Sequence, residues 1–485
     1  MPHAAPHDLP LAPGANRFGH LRAFDEDRIG TMRALARMSA PLVRARFLHR
    51  EVYVANSVET THELLVERAR SFEKSPGIRI LLRDLAGEGL FTSEGELWRR
   101  QRRLMAPLFH ADRLDEYTRA MRFEANRALD RVPAGARVDL AREMTRITMG
   151  VVASTLFGTD TAADADALGE ALTVALGFTG DALASPWLSL QIMLVELAET
   201  ARDRGPARLR ALGERGAARL REPVLLPGAR APEFRRAIAS LDRHVQGFIE
   251  TRRAQGLARG DLLTKLLGAR DPDGAAEGMS DRQIRDEAKT LFVAGHETTA
   301  TALTWALYLL ARHPEARARV QAEADAFDER PDAAHDPSTL VYTTRVFKEA
   351  LRLYPPLVMI ARRALEPVVL GGVALPARAI VFASPYALHF REELFARPEE
   401  FDPERFTPEA EAARHKSAWI PFGVGPRVCI GNHFALLEGP IVLATWMKRA
   451  TLDVELGRPI EPDRFATLRP KGEVWARVTP RGVRA

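Results

Sequence analysis

The residues with the greatest chemical potential sit in one short run, Pro421-Phe422-Gly423-Val424-Gly425-Pro426-Arg427-Val428-Cys429-Ile430-Gly431, which holds the only cysteine in 485 residues. A solitary cysteine is most often a small buried hydrophobe. Its neighbours argue for ligation instead. Gly423, Gly425 and Gly431 let the chain turn tightly enough to aim several amide N–H groups at one sulfur. Arg427 sets a fixed positive charge two residues away, which lowers a thiol pKa and can grip an anionic group. Beyond the loop, the apolar spacing of Phe434, Leu436, Leu437, Ile441, Val442 and Leu443 predicts a helix whose N-terminal dipole favours a thiolate just ahead of it. The chemistry this predicts is thiolate ligation of a cofactor.

Three further groups need elements to position them. Ala294-Gly295-His296-Glu297-Thr298-Thr299 lies within an apolar run that opens on a Ser280/Gln283 capping box and ends at Pro314. That run predicts one helix of roughly 30 residues and 45 Å, long enough to cross a domain. A mid-helix glycine costs about 1 kcal/mol against alanine, and threonine hydroxyls turn back onto preceding carbonyls. Glu349-Ala350-Leu351-Arg352, followed by Tyr354-Pro355-Pro356 and, later, Asp402-Pro403-Glu404-Arg405-Phe406, is the second group. Alone, an acid and an arginine three apart on a helix are an ordinary pair. Trp98-Arg99-Arg100-Gln101-Arg102 is the third; one turn separates Trp98 from Arg102, so an indole N–H and a guanidinium share a face and can reach one carboxylate. Taken alone, it reads as an amphipathic helix with solvated arginines.

Phe-Gly-x-Gly-x-Arg-x-Cys-x-Gly, Phe422 to Gly431, resembles the haem-binding loop of the cytochrome P450 family, and the three other motifs follow that family's order and spacing. The resemblance implies a mainly α fold with small β regions, one long central helix crossing a haem b, and Cys429 as the iron ligand. It implies that Ala294 borders the haem and that Glu297 and Thr298 manage protons during activation of O2. Glu349, Arg352 and Arg405 match a structural triad bracing the cysteine loop. Trp98, Arg102, Arg427 and Arg362, with Arg363 as the alternative register, match the haem-propionate set, and Phe422, Gly423 and Gly431 border the cofactor. The substrate pocket would draw on Leu82, Phe91, Leu291, Phe292, Val358, Ile360 and Thr467. This set is overwhelmingly apolar, as core packing would also be. The implied reaction is insertion of one oxygen atom into a C–H bond of a fatty acid, terpenoid or polyketide. A peroxide-driven or isomerising haem-thiolate enzyme and a non-catalytic haem sensor are the competing readings. One departure stands out: where relatives place a glycine before the last central strand, this chain has Leu375-Pro376-Ala377-Arg378-Ala379.

Composition sets limits. Residues 1–485 show no Ser/Gly linker, so a single unit is expected, its β-rich parts near 40–60, 365–385 and 450–480. The clearest strands are Val52–Ala55, Val368–Leu370, Ala379–Phe382 and Val474–Val478. No run of 18 apolar residues predicts a membrane span, and one cysteine suits a reducing, cytoplasmic setting. The net charge of +5 comes without any nucleic-acid reader motif. With no GxGxxG pattern for a fused reductase, electrons are expected from a ferredoxin or flavodoxin and its NAD(P)H reductase, with the enzyme a monomer. Arg99, Arg100, Arg103, Arg414, Lys416 and Arg427 are candidates for a basic dock. Pro186–Val195 reads either as a cover over the substrate entrance or as core helix.

Overall fold

The computed structural model describes residues 5–16, 19–47, 50–109, 114–158, 165–183, 185–220, 231–256, 261–269, 278–327, 339–457, 459–463 and 467–481. Within them helices dominate and three small sheets lie to the side. The organising element is a helix of 32 residues, Asp281–Arg312. It begins at the expected box: Ser280 Oγ accepts the Gln283 N–H while Gln283 Oε1 accepts the Ser280 N–H. It ends where Pro314 starts the next helix. From Ala300 to Leu310 nearly every side chain is buried, because helices Leu140–Val152, Val341–Leu353 and Asn432–Arg449 pack around this half. A helix apolar on all faces is stable only in such surroundings. Trp305 of this helix stacks on Tyr354 with ring centroids 3.8 Å apart.

The other half of the central helix is polar for a reason. Asp286 accepts the Glu88 N–H, Glu287 accepts the Leu90 N–H, Lys289 donates to Asp84 O and Thr290 to Ala86 O. These bonds fix the segment between helices Pro76–Ala86 and Gly95–Met105. Gly87 and Gly89 are required there, since a Cβ at either would stand 2.1 Å from Asp286 or Thr290.

The main sheet runs in the order Leu42–Phe47, Arg50–Ala55, Ile380–Ala383, Ile360–Ala364, Phe72–Lys74. The four strands expected from sequence all overlap observed ones, with Ala379 and Val474 falling one residue ahead of theirs. Ile360–Ala364 escapes the pattern because two adjacent arginines interrupt its apolar alternation, and Phe72–Lys74 is too short to show any. The departure at 375–379 resolves as a turn in which the Ala379 N–H reaches Pro376 O and Arg378 sits at φ +66°. That third position is where such a turn normally takes glycine. An L side chain there costs roughly 1–2 kcal/mol.

Candidate active site

The cysteine loop is shaped by its own backbone. Gly423 and Gly425 adopt φ of +72° and +82°, the Gly423 N–H bonds Ile420 O, and the Cys429 N–H bonds Phe422 O at 2.9 Å. Gly425 has no alternative, because a Cβ would lie 2.1 Å from Leu65 O. The helix Asn432–Arg449 begins three residues past the sulfur. Burial pushes the Cys429 thiol pKa up, while the Gly431 N–H and the Arg102 charge pull it down. The same side chain is nonetheless exposed. The sulfur is thus crowded by protein yet reachable by solvent.

The central helix forms part of the same picture. Its neighbours are buried, but Ala294 is exposed and Glu297 and Thr298 are half-buried on the same side. Thr298 Oγ1 donates to Ala294 O at 3.0 Å, and Glu297 Oε1 accepts from Thr467 Oγ1 at 3.0 Å. Phe292, two residues and about 200° around the helix from Ala294, lies on the opposite face against His296. Phe292 is buried in the core cluster on that face. Leu291 is also packed in the core, Leu82 is half-buried beside it, Phe91 is exposed and Val358 is buried. Ile360 stands next to Gly423, 3.6 Å from where a Cβ would be.

Strand alternation separates the two adjacent arginines. Arg363 points to Glu73 and Glu199, with Nε–Oε1 of 2.6 Å and Nη1–Oε2 of 2.7 Å. Arg362 points the other way, toward Arg427 and Glu94; burial first, then the Arg427 charge, lowers its pKa to about 10. Arg427 lies 4.7 Å above the Trp98 ring and makes a two-pronged pair with Glu94, Nη2–Oε2 being 2.6 Å. Lys74 is here too: its Nζ donates to Leu90 O and Ser93 O, and burial lowers its pKa to about 7. Burial works against charge on Glu94, but Arg427 and Lys74 outweigh it and hold its pKa below the ordinary value. Glu94 and Lys74 have no motif around them and were not legible from sequence.

This cluster tests the fit of a haem. Lys74, Arg362 and Arg427 face one carboxylate, Glu94, and Arg102 is a fourth cation within reach of Cys429. Partly buried cations in such excess need further anions. Two propionates would supply them, and the residues fit the group.

The triad is closed and buried. Glu349 accepts from Arg352 Nε and Nη2 at 2.6 and 2.8 Å and from the Asp402 N–H at 2.9 Å, with Arg405 Nε 3.5 Å away. Arg352 donates to His389 O, Pro398 O and Glu400 O. His389, absent from the sequence reading, links this knot to the cysteine loop by accepting the Ile420 N–H. Glu438, nearly two turns into the helix after the loop, is fully buried, and burial raises its pKa well above normal despite a contact with Thr299. Among the cations expected to form a dock, Arg427 is paired and Arg414 is tucked against Phe395 and Phe406, whereas Arg99, Arg103 and Lys416 are exposed.

The chain matches the family profile "Cytochrome P450" over residues 9–190 and 215–475. It is 34% identical over 460 residues to cyclooctatin synthase of Streptomyces melanosporofaciens, covering 94% of this chain and 91% of that one. It is 32% identical to pentalenene oxygenase of Streptomyces avermitilis, covering 91% and 90%. The crystal structure of the cytochrome P450DA heme domain superposes with a TM-score of 0.80 at 27% identity, covering 100% of this chain and 99% of that one.

Proposed function

Because the chain belongs to the cytochrome P450 family, a haem b monooxygenase lineage, we propose that it oxygenates a polycyclic terpenoid with electrons from a separate ferredoxin or flavodoxin. Its reaction class is insertion of one oxygen atom of O2 into an apolar organic substrate. Among the described residues no helix is long and apolar enough to cross a membrane. The observation that carries the proposal is the exposed lone thiol in its glycine-shaped loop, together with the exposure of Ala294 and the partial exposure of Glu297 and Thr298 on the central helix.

When bound, the haem supplies the oxygen activation, with the thiolate's electron donation favouring O–O cleavage. Cys429 would hold the iron. Trp98, Arg102, Arg362 and Arg427, joined by Lys74, would neutralise the propionates. Thr298 commits its own hydrogen to Ala294 O, which leaves its lone pairs free to accept from a water or an oxygen-bound proton. Glu297, oriented by Thr467, would exchange protons with solvent and pass them inward. The terpenoid assignment is supported by relatives named for cyclooctatin, cyclooctat-9-en-7-ol and pentalenene, and by the apolar character of Leu82, Val358 and Ile360. A docking site for an acidic redox protein would use Arg99, Arg103 and Lys416.

The test has two parts. The ferrous carbonyl form should show a strongly red-shifted band that Cys429→His abolishes; an unshifted wild-type band would contradict thiolate ligation. Thr298→Ala should leave this band intact and divert electrons to peroxide. A sensor would be indifferent to that change, and turnover with peroxide alone would point to a peroxygenase.

A further inference from the structure

Helix Pro186–Arg204 has two unlike ends. Its first half rests on helix Pro76–Ala86 through Leu188, Ile192 and Val195, and turns Trp187, Leu190 and Leu197 outward. Its second half carries a polar stripe, Glu196, Glu199, Thr200 and Asp203, spaced at i, i+3, i+4 and i+7 and so on one face. Each member of the stripe meets an arginine of the main sheet or its turns. Arg50 pairs with Glu196, Arg363 with Glu199, and Arg378 takes the rest: Nη2 to Asp203 Oδ2 at 2.7 Å, and Nη1 to Thr200 Oγ1 and to Glu196 O.

Arg378 is the anomalous member, since it occupies a left-handed position that glycine would fill without strain. Strain kept at one position calls for a function that the strained residue performs. Here the function is on view, because only a long cationic side chain leaving that turn could span from the sheet to the last two turns of the helix.

We propose that Arg378 is a positioning residue that straps helix Pro186–Arg204 down over the substrate entrance, and that an arginine in this turn, where glycine would sit without strain, slows passage of substrate. The proposal rests on one of the two readings of Pro186–Val195 given above, that of a cover over the substrate entrance, and extends it to the rest of the helix. Glu199–Arg363 is the deeply buried anchor, whereas the Arg378 contacts are partly exposed. The strap is therefore the part that salt weakens and that opens first.

The experiment compares wild-type holoenzyme with Arg378→Gly, Arg378→Lys and Asp203→Asn. Arg378→Gly removes the strap and the strain together, so its melting temperature should be unchanged or higher. Amide hydrogen exchange over 196–204 should nonetheless rise about tenfold, the loss of one or two charge-assisted bonds. Association of 4-phenylimidazole with the haem iron, followed by absorbance, should accelerate by a similar factor. Arg378→Lys, which retains the charge, and Asp203→Asn, which retains the Thr200 and Glu196 contacts, should fall between. Unchanged exchange in Arg378→Gly overturns the strap. Raised exchange with an unchanged association rate overturns the entrance role while leaving the contacts intact. Exchange that rises equally across the whole chain with a lower melting temperature overturns both, because it marks a merely structural side chain.

Discussion

His389 should make this protein acid-labile by a calculable amount. The ring is fully buried, with Nδ1 3.1 Å from Arg352 O and Nε2 3.0 Å from the Ile420 N–H. A carbonyl can only accept and an amide can only donate, so Nδ1 carries the hydrogen and Nε2 must stay bare. A second proton would confront the Ile420 N–H directly, near the charges of Arg352 and Arg414. Burial first, then the Arg352 charge, depresses the pKa to about 3 from an unfolded value of 6.5. The folded value lies below the unfolded one, so the full contribution is present above pH 6.5 and is lost as pH falls toward 3. At 1.36 kcal/mol per unit this window holds about 5 kcal/mol, of which about 2 is gone by pH 5. His389→Gln keeps a donor and an acceptor but cannot titrate. Urea unfolding of both proteins at pH 7, 6 and 5 should show wild type losing about 2 kcal/mol more than the variant over that range. The red-shifted carbonyl band of the folded wild type should stay intact over that range, because the proton is taken up by the unfolded chain and not by the folded ring. Parallel stability curves for the two proteins would refute the reasoning.

Arg352→Ala takes the two-pronged arginine from buried Glu349, leaving it only the Asp402 N–H and the more distant Arg405, and takes one donor from each of three carbonyls; urea unfolding should show a loss of about 3–5 kcal/mol, with Arg352→Lys recovering only part of it. Gly425→Ala drives a Cβ into Leu65 O and should lower the haem-to-protein absorbance ratio after dialysis, whereas Gly457→Ala, with nothing within 4 Å, should leave it unchanged. Glu438→Gln should not destabilise at pH 7 or above. The raised carboxyl pKa means that wild-type stability is fully present below about pH 4.5 and is lost as pH rises, a loss the amide does not share; a large drop in melting temperature for the variant would count against a neutral buried acid.

The elements that position the cofactor could be read from sequence because local rules fix them. The Ser280/Gln283 box starts the central helix, Pro314 limits it, and glycine spacing marks the cysteine loop. What escaped was long-range. Nothing beside Glu94 announces that it will meet Arg427, 333 residues away. His389 has no motif, because its role comes from two backbone atoms supplied by separate segments. The choice between Arg362 and Arg363 waits on strand register, since alternation sends neighbours to opposite sides but does not say which is which. The resemblance places Phe292 with the pocket residues of the central helix, but which face of a helix a residue takes depends on packing that no local motif records, and two residues along a helix is nearly half a turn.

The bonds between the central helix and segment 84–92 end on main-chain atoms of that segment: Asp84 O, Ala86 O, Glu88 N and Leu90 N. Gln101 and Arg79 do likewise, at Glu88 O and Thr92 O. Such a mooring is indifferent to the side chains it carries, apart from Gly87 and Gly89. An exposed position such as Phe91 is thus free to diversify under selection without loosening the attachment, so new substrates can be explored at little expense to foldability.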